Sequence, residues 1–265
     1  MTVILVIFAF ILGAIIGSFL NVVILRLNTE KNLGGRSACM SCSTQLAWYE
    51  LVPIFSYLFL RGKCRTCKEK ISKQYVFVES ITAILFAGIM IRFAPLLFSG
   101  LIFQFVVQVV LWMIIVSVGM VIAVYDTKHK LIDVRFLGAL AVICAILGLC
   151  DFQHVGIIVH VMGAIIVPLP FLLLWIMSKG RLIGFGDIEI MTITGFLFGV
   201  IGGFSAVTVA FWVATIAVIL IVGIKSTRQR KIVEQHIAFA PFLLAGIYLV
   251  GICGLDIFAR ILGIM

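Results

Sequence analysis

The sequence predicts an all-α polytopic membrane protein: about eight transmembrane helices, with a small cytoplasmic zinc-knuckle loop domain after the first. Three observations predict it. Of 265 residues, 63% are hydrophobic and 12% charged, and the mean hydropathy is +1.28, far from the composition of a soluble domain. Apolar runs close to the ~20 residues needed to cross a bilayer recur along the chain. The one sizeable polar segment, Arg26 to Gln74, carries two Cys-x-x-Cys pairs. The organisation read from this is residues 1–25 as a first helix, 26–74 as a loop domain and 75–265 as a membrane domain.

The first span, Thr2–Leu25, has no basic residue before it and Arg26 after it. It is too long for a signal-peptide core and lacks a basic n-region, so it reads as a retained helix. Its Gly13 and Gly17 form GAIIG, a small-xxx-small pattern that lets helices approach closely; a chance glycine pair is the alternative. Beyond the loop, seven further spans are expected: Tyr75–Phe93, Leu101–Tyr125, Leu131–Leu149, Val155–Met177, Ile188–Gly202, Phe204–Ile224 and Ile237–Gly254. The sixth is short, and its boundary with the seventh is placed at Gly202-Gly203.

The net charge of +9 has a topological origin. With the loop after the first span assigned to the cytoplasm, nine Lys/Arg fall in Arg26–Lys73. Lys128, Lys130, Arg135, Lys179, Arg181, Lys225, Arg228, Arg230 and Lys231 fall on the same side, leaving only Arg92 and Arg260 outside. This is the positive-inside pattern. It places both termini outside, implies the lipid bilayer as a partner and removes the case for nucleic acid.

Cys39 and Cys42 pair as CMSC, Cys64 and Cys67 as CRTC. Two such pairs offer four sulfurs to one tetrahedral zinc. A reducing cytoplasm argues against disulfides. Four thiolates close the metal's shell, so a zinc held there is structural, folding a segment with little core of its own; metal-free thiols and a redox or disulfide pair are the alternatives. Cys144, Cys150 and Cys253 read as small apolar packers. The histidines (His129, His154, His160, His236) show no metal-ligand spacing and carry no assigned role.

Carboxylates are scarce. Asp151 and Asp256 fall at outer span ends and read as interfacial. Asp126 ends the third span and Asp187 opens the sixth, on the same side. Two helices thus present carboxylates at one depth, where an aspartate costs about 2.5–3.5 kcal/mol on insertion scales, and each is a functional candidate. Bland readings stay open: Asp187 as a helix cap, Asp126 paired with Lys128 or Lys130, and Asp133 competing for the role of Asp126. Gly184 and Gly186 flank Phe185 before Asp187; glycine permits φ > 0 and close backbone approach, room that a peptide beside a carboxylate needs.

At these residues the chain resembles the type IV prepilin peptidases, the bifunctional leader peptidase/N-methyltransferases of bacterial pilus, competence and type II secretion systems. The likeness is carried by Gly17-Ser-Phe-Leu-Asn-Val-Val-Ile24, Gly35-Arg-Ser-Ala-Cys39-Met-Ser-Cys42, Trp48-Tyr-Glu50, Arg61-Gly-Lys-Cys64-Arg-Thr-Cys67, Ile71-Ser-Lys-Gln-Tyr75 and Val78-Glu79. It continues in Tyr125-Asp126 with Leu131-Ile132, in GFGDIEIM from Gly184 to Met191, and in Phe239-Ala-Pro-Phe242. Two departures stand out: Glu189 where family members usually carry lysine, and Ala238 where proline is common. The resemblance implies an aspartic endopeptidase of the bacterial cytoplasmic (inner) membrane, with Asp126 and Asp187 as its dyad. It would cut the short basic leader of type IV pilin or pseudopilin precursors after a glycine, on the cytoplasmic side. It also implies N-methylation of the new N-terminus from S-adenosylmethionine, with Asn21, Arg36, Glu50 and Glu79 as matching polar positions. Two readings compete. In a transporter, Asp126 and Asp187 would be ion or proton relays; in a scaffold, the zinc loop would bind a partner and the aspartates would be caps.

Overall fold

The computed structural model describes residues 2–29, 34–150, 156–224 and 238–263. The expected interfacial Asp151, His154 and His236, the starts of the spans at Val155 and Ile237, and the basic residues Lys31, Lys225, Arg228, Arg230 and Lys231 lie outside the described residues. Among the described residues there is no β-strand beyond two isolated bridges, Ala38 with Gln45 and Lys63 with Lys70. The chain forms two compact units, Met1–Val121 and Ile122–Met265.

In the first unit, α1 (Thr2–Arg26) packs along α3 (Lys73–Phe98). GAIIG is the reason they meet so closely. A Cβ added at Gly13 would lie 2.8 Å from the Ala83 Cα, and one at Gly17 2.8 Å from the Glu79 Cα, so no larger residue fits either position. Asn28, left-handed at φ 55°, closes α1. Ser72 caps α3 by accepting the Gln74 N–H. Between them lie a 3-10 turn (Trp48–Leu51) and the short α2 (Phe55–Phe59). α4 (Ile102–His129) runs on from the first unit into the second.

The second unit is built round α8 (Phe185–Ile224). α5 (Val134–Cys150), α6 (Ile157–Ile166), α7 (Leu169–Ser178), α9 (Ala240–Gly251) and α10 (Ile257–Ile261) all pack against it. α6 and α7 are one apolar stretch interrupted at Pro168, where the missing N–H breaks the helical ladder. At Gly199, φ 68° and ψ −167° leave helical space, and the chain reverses there. A Cβ on Gly203 would touch the Gly195 Cα at 3.0 Å, whereas a straight helix would hold those residues about 12 Å apart. α8 is therefore a helical hairpin. The sixth and seventh spans exist as expected, but they part at Gly199 rather than Gly202-Gly203, because Gly199 is the residue at positive φ.

Close backbone contact recurs in this unit. A Cβ on Gly163 of α6 would sit 2.1 Å from the Gly195 carbonyl oxygen, and one on Gly246 of α9 2.2 Å from that of Ala206. Asp256 is more than an interfacial residue: it accepts from the Ser205 hydroxyl and from the Ala259 N–H, pinning α10 to α8. Five helical stretches are long and apolar enough to cross a membrane, the α8 hairpin among them, and α5 and α9 are shorter apolar helices. Counting the hairpin's arms separately gives eight apolar segments among the described residues.

Candidate active site

Asp126 lies on the last turn of α4, which ends as Lys130 turns left-handed at φ 57° and returns its N–H to the Asp126 carbonyl. Its carboxylate is buried, feels the Lys130 ammonium and accepts the N–H of Ala240. Ala240 opens α9, so the carboxylate rests on a helix N-terminus, where exposed N–H groups and the helix dipole favour an anion. This gives Phe239-Ala-Pro-Phe242 a physical role that sequence reading missed. A proline in the first helical turn does signal a helix start there.

Asp187 is the third residue of α8, not its cap. Its carboxylate reaches back to accept the Gly184 N–H, and its own N–H bonds the Gly184 carbonyl at 3.2 Å. In place of the expected N-cap, Asp187 makes the reach-back half of a capping box from the third helical position. The two glycines work differently from the sequence expectation. Neither is among the positive-φ residues, and side chains take the room they leave. A Cβ on Gly184 would come within 3.3 Å of the Asp187 carboxylate, and one on Gly186 within 2.7 Å of Ile132 Cδ1. Ile132 follows α4, so Gly186 is where the start of α8 meets the corner that carries Asp126. The charge of Asp126 acts directly on Asp187. Asp133 is engaged elsewhere: it chelates the Arg135 guanidinium at 2.8 and 3.0 Å and accepts the Arg135 N–H.

A cavity of about 480 Å³ opens beside Asp187. Gly184, just before α8, and Asp187 and Met191 of its first arm line it, with Phe211 and Thr215 from the second arm and Phe239 closing one side. Asp126 is not in its wall. Phe239 lies tilted against Phe211, which stacks on Phe171, so the apolar wall is itself packed.

In the first unit the four cysteines converge. Their sulfurs all lie within 4.8 Å of one another, and Cys39 and Cys67 are 3.8 Å apart. Tetrahedral zinc with Zn–S near 2.3 Å needs sulfurs about 3.8 Å apart, so the set fits the metal. The two knuckles are alike. Cys39 N–H bonds the Thr44 carbonyl as Cys64 N–H bonds that of Glu69, and left-handed Ser43 and Lys68 return their N–H groups to Cys39 and Cys64. The hydroxyl and N–H of Thr44 pull the Cys42 thiol down to about 6, and N–H groups of Cys67 and Thr66 lower Cys64. Cys67 takes an N–H from Glu69, which favours its thiolate, yet desolvation and the three neighbouring sulfurs push it up to about 12. Four thiolates at this spacing need a cation among them.

The other sequence-predicted residues are engaged with protein. Asn21 is fully buried, donates to the carbonyls of Gly17 and Tyr75 and accepts from Gln74. Glu79 accepts the Ile54 N–H at 2.7 Å and a bond from Ser18. Glu50 accepts the Ala47 N–H and faces Arg65 at 3.7 Å; exposed Arg36 lies 3.4 Å from Gln45. Asn21, Glu79 and Glu50 thus hold neighbouring protein groups. Of the histidines, His160 is buried with Nδ1 2.7 Å from the Phe196 carbonyl oxygen.

The family model of the bacterial peptidase A24 N-terminal domain matches residues 11–93, the α1–α3 pair and the cysteine loop. A prepilin leader peptidase/N-methyltransferase of Myxococcus xanthus is 33% identical over 198 residues, 71% of this chain and 55% of that protein. One of Bacillus subtilis is 31% identical over 244 residues, 89% of this chain and 90% of its relative. The chain belongs to the prepilin leader peptidase/N-methyltransferase family. A further prepilin leader peptidase/N-methyltransferase, from Pectobacterium carotovorum, is 28% identical over 268 residues, covering 89% of this chain and 88% of its own. No solved structure matches the chain. Membership of the prepilin leader peptidase/N-methyltransferase family makes it a multi-span membrane enzyme, and the α4 end, the α8 hairpin and the cysteine knuckles are the parts of that enzyme described above.

Proposed function

We propose that the protein is an aspartic endopeptidase of the bacterial inner membrane. It removes the basic leader of type IV pilin or pseudopilin precursors after a glycine at the cytoplasmic face, and then N-methylates the new terminus. The observations that support the peptidase are that the charge of Asp126, on a separate helix, acts on Asp187, and that Asp187 lines an apolar cavity. Two carboxylates that share one site hold one proton between them. The ionised member takes a proton from water as the oxygen attacks the scissile carbonyl. The protonated member donates to the carbonyl oxygen and later serves the departing amine. The Ala240 and Gly184 N–H groups fix the two carboxylates in place. Phe211, Thr215 and Ile219 of the cavity wall are exposed, so the cavity meets lipid, from which an apolar substrate helix can enter sideways. Pilus and type II secretion precursors are the substrates this reading implies.

The methyltransferase half rests on the relatives' names, which imply S-adenosylmethionine as methyl donor. The four cysteines would hold a structural zinc, which orders the loop and takes no part in bond making. Asn21, Arg36, Glu50 and Glu79 stand as the polar positions nearest this activity by resemblance.

The test uses detergent-purified protein, a prepilin-like precursor and mass spectrometry. Wild type is expected to cut after the leader glycine. Asp126→Asn and Asp187→Asn are each expected to lose at least about a hundredfold in rate, with zinc content and helix content unchanged. Asp187→Asn keeps an acceptor for the Gly184 N–H, so a mere cap would lose little, within about 1 kcal/mol. Full cutting by both variants would overturn the dyad.

A further inference from the structure

The loop between α1 and α3 is polar in composition, yet one stretch of it exposes large apolar side chains: Trp48, Tyr49, Leu51, Phe55, Leu58 and Phe59. Trp48 is 79% and Phe59 84% exposed, unlike a loop packed on its own core. The depth of this stretch can be read from its anchor. The Ile54 N–H bonds Glu79, six residues and about 9 Å inside α3 from its start at Lys73. Glu79 in turn packs on Gly17, nine residues and about 13 Å inside α1 from its basic end at Arg26. Both helices are spans whose charged ends mark the headgroup zone. Ile54 therefore lies below that zone, near the edge of the hydrocarbon.

We infer that Trp48–Phe59 is a re-entrant segment that dips into the bilayer interface, its apolar side chains in lipid and its turn tethered by Glu79. Backbone at that depth must be satisfied within the protein, and the turn around Ile54 is bonded in this way. Ser56, Leu58 and Leu60 donate to the carbonyls of Val52, Ile54 and Ser56, and Glu79 takes the Ile54 N–H that the turn leaves over. Ile54 stands at φ 65° and ψ −54°, strained for a β-branched residue and kept there by its bond to the carboxylate. Glu50, the one charge in the stretch, is met by the Ala47 N–H and Arg65. Arg61, Lys63, Arg65, Lys68 and Lys70 follow directly and suit the anionic headgroups the chain passes on its way out. Trp and Tyr are the side chains that favour this boundary. The zinc knuckles flank the segment on both sides and hold its two ends together.

The experiment reconstitutes the full-length protein in phosphatidylcholine/phosphatidylglycerol vesicles and takes the Trp48 emission as the difference between wild type and Trp48→Phe. Lipids brominated high on the acyl chain are expected to quench this component at least twofold, and aqueous iodide to leave it unchanged. Glu79→Ala is expected to make it iodide-accessible with zinc still bound, and Glu79→Gln, which keeps an acceptor for Ile54, to preserve lipid quenching. Iodide quenching in wild type without bromolipid quenching would overturn the insertion. So would an emission shielded only after a prepilin-like precursor is added, which would give the surface to a substrate helix. Lipid quenching untouched in Glu79→Ala would overturn the tether.

Discussion

A methyl group at residue 186 would land on Ile132, 2.7 Å from its Cδ1. Gly186→Ala must displace the end of the Ile132 side chain, which packs beside the corner that carries Asp126. The expected cost is about 1 kcal/mol of strain and a precursor-cleavage rate down about tenfold, measured by mass spectrometry, because small misplacements of reacting groups are expensive. Ile132→Val removes the offending carbon and is expected to restore most of the rate in the double variant. Both aspartates could be picked out in the sequence, because charge is scarce and each sat at an apolar helix end. Their N–H donors could not. The Ala240 donor lies over a hundred residues from Asp126 in sequence, and the reach of Asp187 to Gly184 depends on where the helix starts, a boundary no periodicity resolves.

The elements divide by what holds them. The knuckles rest on a metal-shaped set of sulfurs, and their spacing announced them. Chelating the zinc is expected to make Arg26–Gln74 the first segment cut in limited proteolysis, while circular dichroism changes little because the loop holds few helical residues. Restoring zinc should restore protection, and protection that outlasts measured zinc loss would show that the loop folds alone. The second unit instead rests on glycine. At Gly163 an added carbon meets backbone, the Gly195 carbonyl oxygen at 2.1 Å, which cannot rotate away. Gly163→Ala is expected to destabilise by about 1–3 kcal/mol and to lower the unfolding temperature in detergent, more than Gly138→Ala, where nothing lies within 4 Å. The spans were readable because hydropathy is a sum over many residues. Which glycine turns the α8 hairpin was not, since Gly195, Gly199, Gly202 and Gly203 look alike until the chain is folded.

Across the whole molecule the distribution of Lys and Arg makes the topology testable. Cys150 and Cys253 are exposed at span ends, and the positive-inside reading expects them on the side poor in basic residues, opposite the four loop cysteines. A membrane-impermeant maleimide added to spheroplasts is expected to label Cys150 and Cys253 and to spare Cys39, Cys42, Cys64 and Cys67 until the membrane is opened. The reverse pattern would invert the sidedness. The choice between peptidase and transporter was not open to composition, which sees only carboxylates in oil; under the proposed reading it turns on whether Asp126 and Asp187 act together, which the Asp→Asn variants test.

The reversal at Gly199 also sets the parity of the crossings. Unbroken, the forty residues of α8 would make a rod about 60 Å long, twice the hydrocarbon thickness, and would cross once. Everything after it would then emerge on the far side, and the N–H of Ala240 would face the wrong compartment, a membrane's width from the carboxylate it serves. Because the chain doubles back, the stretch can enter the membrane as a closed pair of arms with no polar loop to carry across, and the start of α9 returns to the level of Asp126. A single residue at positive φ thus decides at which end of the hairpin the start of α9, with its Ala240 N–H, is delivered.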